Sequence, residues 1–216
     1  MSGDVAGAPV VPPARVADER AEVPVVSSTL IHEGRIWDLV GDEVDLGGDA
    51  PVMREYIRHT GAVAVIALDD DERVLLLRQY RHPVRSLLWE PPAGLLDVAG
   101  EDLREAAARE LAEEADLRAE RWDVLADYYT TPGGSDEAIR IFLARGLSPV
   151  PDHELHDRVD EERDMIAAWV PLDEAVTDVL GGRVHNPSAV VGILAAAQAR
   201  AAGWATLRDV SDGWVR

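Results

Sequence analysis

Cysteine is missing from this chain altogether, which removes disulfide frameworks and thiolate chemistry and leaves the sequence silent on redox compartment. Long apolar runs are missing too. None approaches the roughly 20 residues of a membrane span, and the first residues lack the basic-then-apolar pattern of an export signal. Positive charge is scarce: 21 basic residues face 41 acidic ones, a formal charge of -20. Such a chain is repelled by nucleic-acid backbones and anionic membrane surfaces, so neither is expected as a partner. A cytoplasmic protein is the expectation. A small anionic substrate stays open, because bound metal and local arginines can invert the field inside one cleft.

What is present suffices for one substantial core. Hydrophobic residues make up 47% of 216, enough for a single main domain with appendages and short for two full domains. Residues 1–24 are rich in Ala, Pro, Val and Gly without a sustained period, which marks a disordered or loosely attached arm. Residues 25–58 break into short extended pieces, VVSSTLIHEG, RIWDLVGDEVDL and PVMREYI, separated by Gly-rich turns. They form a small antiparallel sheet with too little core to stand alone. AVAVIAL and VLLLRQY then read as a hairpin of two apolar strands, covered on both faces and central to a sheet between helices. RWDVLADYYTT and EAIRIFLARGL are two further strands joined across PGGSDE, and IAAWVP is a last strand before a short helix. Asn186-Pro187 opens an alanine-rich core helix in the cap-then-proline manner. The whole is α/β, a mixed sheet sandwiched by helices, over residues 59–202, with residues 203–216 as a peripheral tail.

The chemistry concentrates in GLLDVAGEDLREAAARELAEEADL, Gly94 to Leu117. At about 3.6 residues per turn, Glu110, Glu113 and Glu114 project from one side of a helix, while Leu103, Ala107, Leu111 and Ala115 mark an adjacent apolar face. Like charges one turn apart repel, and a divalent cation removes that cost. All-carboxylate ligands suit Mg²⁺ or Mn²⁺ better than zinc, and magnesium held this way usually shares its shell with substrate phosphates. The competing view is a solvated face of an ordinary amphipathic helix. Two prolines and Gly94 shape the entry, so that the carbonyl of Ala93 can turn inward as a neutral oxygen ligand. Arg81, at the polar end of RQYRH, offers a guanidinium fork for a phosphate, unless surface acids claim it. His153 and His156 lie in an acidic stretch without helix signals and are not read as a metal pair.

The Gly94–Leu117 segment resembles the Nudix box, the signature of hydrolases that cleave a nucleoside diphosphate linked to another group. Gly94, Glu101, Arg109, Glu110, Leu111, Glu113, Glu114 and Leu117 carry the resemblance in order. There are two departures: one extra residue precedes Glu101, which lengthens the loop, and Asp116 stands where the family has glycine, which asks Asp for a left-handed conformation. Pro132, fifteen residues past Leu117, is similar to a feature of the ADP-ribose-cleaving subgroup.

The resemblance, spanning roughly residues 26–200, implies a Nudix α/β/α sandwich with the N-terminal β unit packed across a two-fold homodimer. It implies an ADP-ribose pyrophosphatase in which Ala93, Glu110, Glu113 and Glu114 hold Mg²⁺ or Mn²⁺, and in which Glu162, with Glu161 as its competitor, orients or deprotonates the attacking water. For substrate contacts it implies Trp37 on the adenine, Arg54 at the phosphates or the base, Glu90 near the substrate or metals, and Glu137 reaching the active site. Each has a plain structural alternative: Trp37 in the core of the small sheet, Arg54 and Glu137 at the surface. Arg109 is expected to pair with Glu101 or Glu90 and hold the loop.

Overall fold

A computed structural model describes residues 16–156 and 165–214. The element order is β1 (Val25–His32), β2 (Asp38–Val44), β3 (Val52–Arg58), β4 (Ala62–Ala67), β5 (Arg73–Arg81), β6 (Ser86–Glu90), β7 (Ala93–Leu95), α1 (Leu103–Ala115), β8 (Leu117–Tyr129), β9 (Ala138–Pro149), β10 (Ile166–Pro171), α2 (Leu172–Leu180) and α3 (Pro187–Ala201). Among the described residues the strands form three sheets, in the orders β1-β2-β3, β10-β5-β6 and β7-β4-β9-β8. All pairings are antiparallel except β4 with β9, which run parallel.

Strand β4 shows why the core splits into two layers. Every residue of AVAVIA is buried, and the two-residue period of a strand sends alternate side chains to opposite faces. Val63, Val65 and Ala67 meet Ala106, Ala107 and Leu111 of α1, together with Val124 and Phe142. Ala64 and Ile66 meet Ile141, Leu143 and the apolar faces of α2 and α3. Helices on both faces of this sheet give the expected α/β/α sandwich. Burying Leu111 or Ile66 completely is worth about 1.5–3 kcal/mol each. Helix α3 comes close enough that a Cβ on Gly192 would lie 2.6 Å from the Ile66 Cδ1.

One expectation fails. β4 and β5 do not form a hairpin: apart from a single bridge between Leu68 and Val74, they part into different sheets. β4 takes β9 and β7 as neighbours, while β5 takes β10 and β6. Where both strands are continuously apolar, at AVAVIA and VLLL, no alternation fixes their mutual register, and partners from later in the chain take these positions.

The helix ends follow local chemistry. Asp102 caps α1 by accepting the N–H groups of Arg104 and Glu105. Asp116 closes it at φ 55°, the left-handed conformation expected of a residue standing in a glycine's place. Asn186 caps α3 through the N–H of Ala189, and Pro187 takes the first turn. The small sheet is contrasting in character: every residue of β1 is exposed. It is tied to the domain by the turn after β8, where the Ile57 N–H donates to the Gly134 carbonyl at 2.9 Å and the Asp136 N–H to the Ile57 carbonyl at 3.1 Å.

Candidate active site

Helix α1 buries Ala106, Ala107 and Leu111 and so presents its acidic residues toward β7 and the loop before it. Glu114 is fixed by the Ala93 N–H, which donates to its Oε2 at 2.9 Å. Glu110 lies against Gly94 so closely that a Cβ there would sit 2.0 Å from its Cδ and Oε1. This is a steric reason for glycine at the head of the motif. The first role of Ala93 seen in the structure is therefore its N–H, which positions a carboxylate.

Arg109 gathers the acids. Its Nε and one Nη donate to the two oxygens of Glu101 at 3.0 and 3.1 Å, and its other Nη donates to Glu110 at 2.6 Å and Glu113 at 3.1 Å. It thus pairs with Glu101, one of its two expected partners, and also restrains two of the expected metal ligands. Burial pushes the Glu110 carboxyl above its usual range, Arg109 opposes this, and Glu113 and Asp97 add to it. The Arg109 hydrogen bonds hold Glu101 below its usual value. Among the described residues, no three Asp, Glu or His side chains converge into a ready cation cage. The donor set nevertheless fits a hard divalent cation: it is all oxygen, clustered at one corner, and includes the largely buried carboxylate of Glu110.

Glu90 is 4% exposed and receives a fork from Arg81, with contacts of 3.0 and 3.1 Å from Nε and 2.6 Å from an Nη. Both residues line a narrow crevice with Gln79, Pro91, Ala93, Glu114 and Met165. Expected site residues from β5, β6, β7 and α1 thus share one wall. Glu161 and Glu162 lie outside the described residues.

The other expected contacts gather elsewhere. Trp37, 44% exposed, lines a cavity of about 280 Å³ with Ile57, His59, Thr130, Thr131 and Glu137. Glu137 Oε2 accepts the Thr130 hydroxyl at 2.7 Å, and its Oε1 is 3.6 Å from the His59 Nδ1. Arg54 lines an adjoining cavity of about 390 Å³ with Tyr56, Tyr129 and Asp136; the two share Gly134 and Ser135. No cavity among those found in the described residues contains both Trp37 and the box glutamates. His59, Thr130 and Tyr129 had no signal in the sequence. Nothing in their local pattern marks them, and only the docking of the 130–137 turn on β3 brings them to the cavity.

The layered fold and the acid-bearing helix beside a Gly-headed loop define the class, and comparison with known proteins agrees. Residues 58–188, more than half of the chain, match the NUDIX domain, and the chain belongs to the Nudix family. Within it, the chain is similar to an ADP-ribose pyrophosphatase of Mycobacterium tuberculosis, with 45% identity over 190 residues covering 88% of this chain and 90% of that protein. An ADP-ribose pyrophosphatase of Bacillus subtilis is 31% identical over 172 residues, covering 80% and 91%. A methanol dehydrogenase activator of Bacillus methanolicus is 36% identical over the same coverage, 80% and 91%. A crystal structure of an ADP compounds hydrolase superposes with a TM-score of 0.69 at 21% identity, covering 87% of this chain and 99% of that one, a likeness of fold. The family suggested by the box, and the ADP-ribose-cleaving subgroup suggested by Pro132 outside it, are thereby borne out.

Proposed function

We propose that this Nudix hydrolase cleaves the pyrophosphate of ADP-ribose, water adding across the anhydride to give AMP and ribose 5-phosphate. The observation that carries the reading is the shared corner of Glu110, Glu113 and Glu114 beside Ala93 and Gly94, in a chain similar over most of its length to ADP-ribose pyrophosphatases. Glu110, Glu113 and Glu114, with the Ala93 carbonyl, would hold Mg²⁺ or Mn²⁺. When bound, such ions supply Lewis acidity and charge neutralisation at phosphoryl oxygens.

The chain's own groups do the rest. Arg81, oriented by Glu90, meets the negative diphosphate beside Ala93 and Glu114 in the same crevice, and Arg54, from the adjoining cavity, adds charge at the phosphates or the base. Glu162 takes or orients the proton of the attacking water, with Glu161 as its neighbour in line. Proton transfer of this kind contributes about 10²–10⁴ in rate. Trp37 provides a flat face for the adenine, and Glu137, held by Thr130, accepts hydroxyl hydrogen bonds in the same cavity.

The protein is further proposed to act as a homodimer in the cytoplasm. Val25, Val26, Leu30 and Ile31 of β1 are exposed, and among the described residues β1 pairs with β2 alone, leaving an edge and apolar surface for a second copy to cover. Sedimentation of the full chain tests this directly, and a monomer at micromolar concentration contradicts it.

Measuring AMP release from ADP-ribose, a nucleotide sugar and diadenosine polyphosphates, with and without Mg²⁺, decides the substrate. Preference for ADP-ribose supports the reading. Faster turnover of a nucleotide sugar transfers the assignment within the family, and binding without turnover of any substrate makes the protein a sensor.

A further inference from the structure

Thr130 and Glu137 sit at the two ends of the turn between β8 and β9, and the structure shows what holds that turn. Arg140 on β9 is 1% exposed, a depth at which a guanidinium must have its donors met. Its Nε and one Nη donate to Asp127 at 2.7 and 2.9 Å. The main-chain carbonyls of Asp212 and Gly213 accept from its two Nη atoms at 2.9 and 2.8 Å. Asp127 also accepts from Arg208 at 2.9 Å. The backbones of Val124 and Arg208 exchange N–H···O bonds of 2.9 and 3.2 Å, so the segment after α3 runs as a strap along the free edge of β8. Higher up, the Arg145 guanidinium lies 4.7 Å from the Trp204 ring centroid.

Asp127 and Arg140 face each other across the β8–β9 ladder. Three residues nearer the turn on each strand are Thr130 and Glu137, joined by a 3.1 Å backbone bond and the 2.7 Å hydroxyl-to-carboxylate bond. Moving either strand by one residue turns its side chains to the other face, which here would leave a buried guanidinium without its carboxylate. Two of the four acceptors come from residues more than seventy positions later in the chain. Only the docked strap completes the set.

We propose that Arg140, paired with Asp127 and closed over by the carbonyls of Asp212 and Gly213, is a positioning residue that sets Thr130 and Glu137 in the Trp37 cavity. It fixes the strand register from behind, and the C-terminal strap is therefore part of the recognition apparatus although it touches no substrate. The inference rests on reading that cavity as the place where the nucleotide is recognised.

The test compares wild type, Arg140→Lys and Arg208→Ala in two measurements on the full chain: hydrogen exchange of the 130–137 amides without ligand, and steady-state hydrolysis of ADP-ribose. A lysine ammonium cannot reproduce the planar fork that serves Asp127 and two carbonyls. Arg208→Ala keeps Arg140 and removes one strap contact. Expected are about tenfold faster exchange at Thr130 and Asp136 in Arg140→Lys and roughly threefold in Arg208→Ala. KM should rise about tenfold in the first, with kcat within roughly threefold of wild type. Urea unfolding establishes that each variant is folded. Should Arg140→Lys not fold, Arg208→Ala carries the test alone. Wild-type exchange across 130–137 in a folded variant, or a loss confined to kcat, overturns the proposal. If wild type fails to turn over ADP-ribose, the substrate reading falls while the exchange measurement still decides whether the strap positions the turn.

Discussion

The corner around α1 and the cavity around Trp37 are built in opposite ways. In the corner, the acids and the groups that restrain them lie within one short stretch: Ala93 holds Glu114, Gly94 makes room for Glu110, and Arg109 gathers Glu101, Glu110 and Glu113. In the cavity, Trp37, His59, Thr130 and Glu137 come from three separated stretches and meet only through the turn that docks on β3. The corner leans on a fully buried strand, β4, while the cavity adjoins a sheet whose first strand is wholly exposed. On the proposed reading, the difference teaches that the metal-holding acids travel as a local cassette, whereas recognition depends on long-range assembly. Damage to the first should strike turnover with the fold intact, and damage to the second should strike affinity.

The sharpest way to break this contrast is Glu114→Gln, expected to lower kcat by roughly 10³ or more, on the scale of removing a preorganised electrostatic partner. Its urea midpoint should stay close to wild type. Wild-type-like AMP release by this variant would remove the metal assignment. Glu162→Gln should cost about 10²–10⁴ in kcat with KM little changed, and an unaltered rate moves the role to Glu161.

Gly94→Ala probes the cassette sterically. The new Cβ displaces the flexible end of Glu110 and no backbone, so stability should change little while kcat falls about 10²-fold, as for a reacting group misplaced by an ångström. A normal rate in that variant would mean that the position of Glu110 is unimportant. For the recognition half, Trp37→Ala should raise KM about tenfold, or roughly 1.4 kcal/mol, and leave kcat near wild type. A fall in kcat alone would erase the distinction between the two regions.

The smallest effect concerns the ion pair that braces the cassette. Glu101 has a folded-state pKa below its ordinary 4.5 because Arg109 bonds its ionised form, so the pair stabilises the fold above that value. The contribution disappears as pH drops through the lowered pKa. Wild type should therefore exceed Glu101→Gln in urea midpoint at pH 7, with the gap closing below about pH 4.5. A gap that widens in acid contradicts the pairing.

Local signals were legible wherever a few neighbouring residues settle the outcome. The spacing of Glu110, Glu113 and Glu114 put them on one side of α1, Asp116 took the left-handed conformation asked of it, and Asn186-Pro187 began α3. Arg109 found Glu101, eight residues away. The partners of β4 and β5 are not legible in the sequence, because the apolar runs AVAVIA and VLLL carry no alternation to fix a partner. The ion pair that orients Arg81 through Glu90 exists only once β5 and β6 have paired.

By itself, then, the sequence determined the periodic elements, the helix caps and the acid-bearing cassette, because these depend on spacings of a few residues and on backbone conformations that single side chains prefer. Tertiary structure alone decided that β4 lies beside β9, that His59 and Thr130 join Trp37 and Glu137, and that Arg140 is closed over by the carbonyls of Asp212 and Gly213. Those contacts join residues tens of positions apart. They are selected by burial and by the need to satisfy every buried donor, conditions that exist only once the layers have packed.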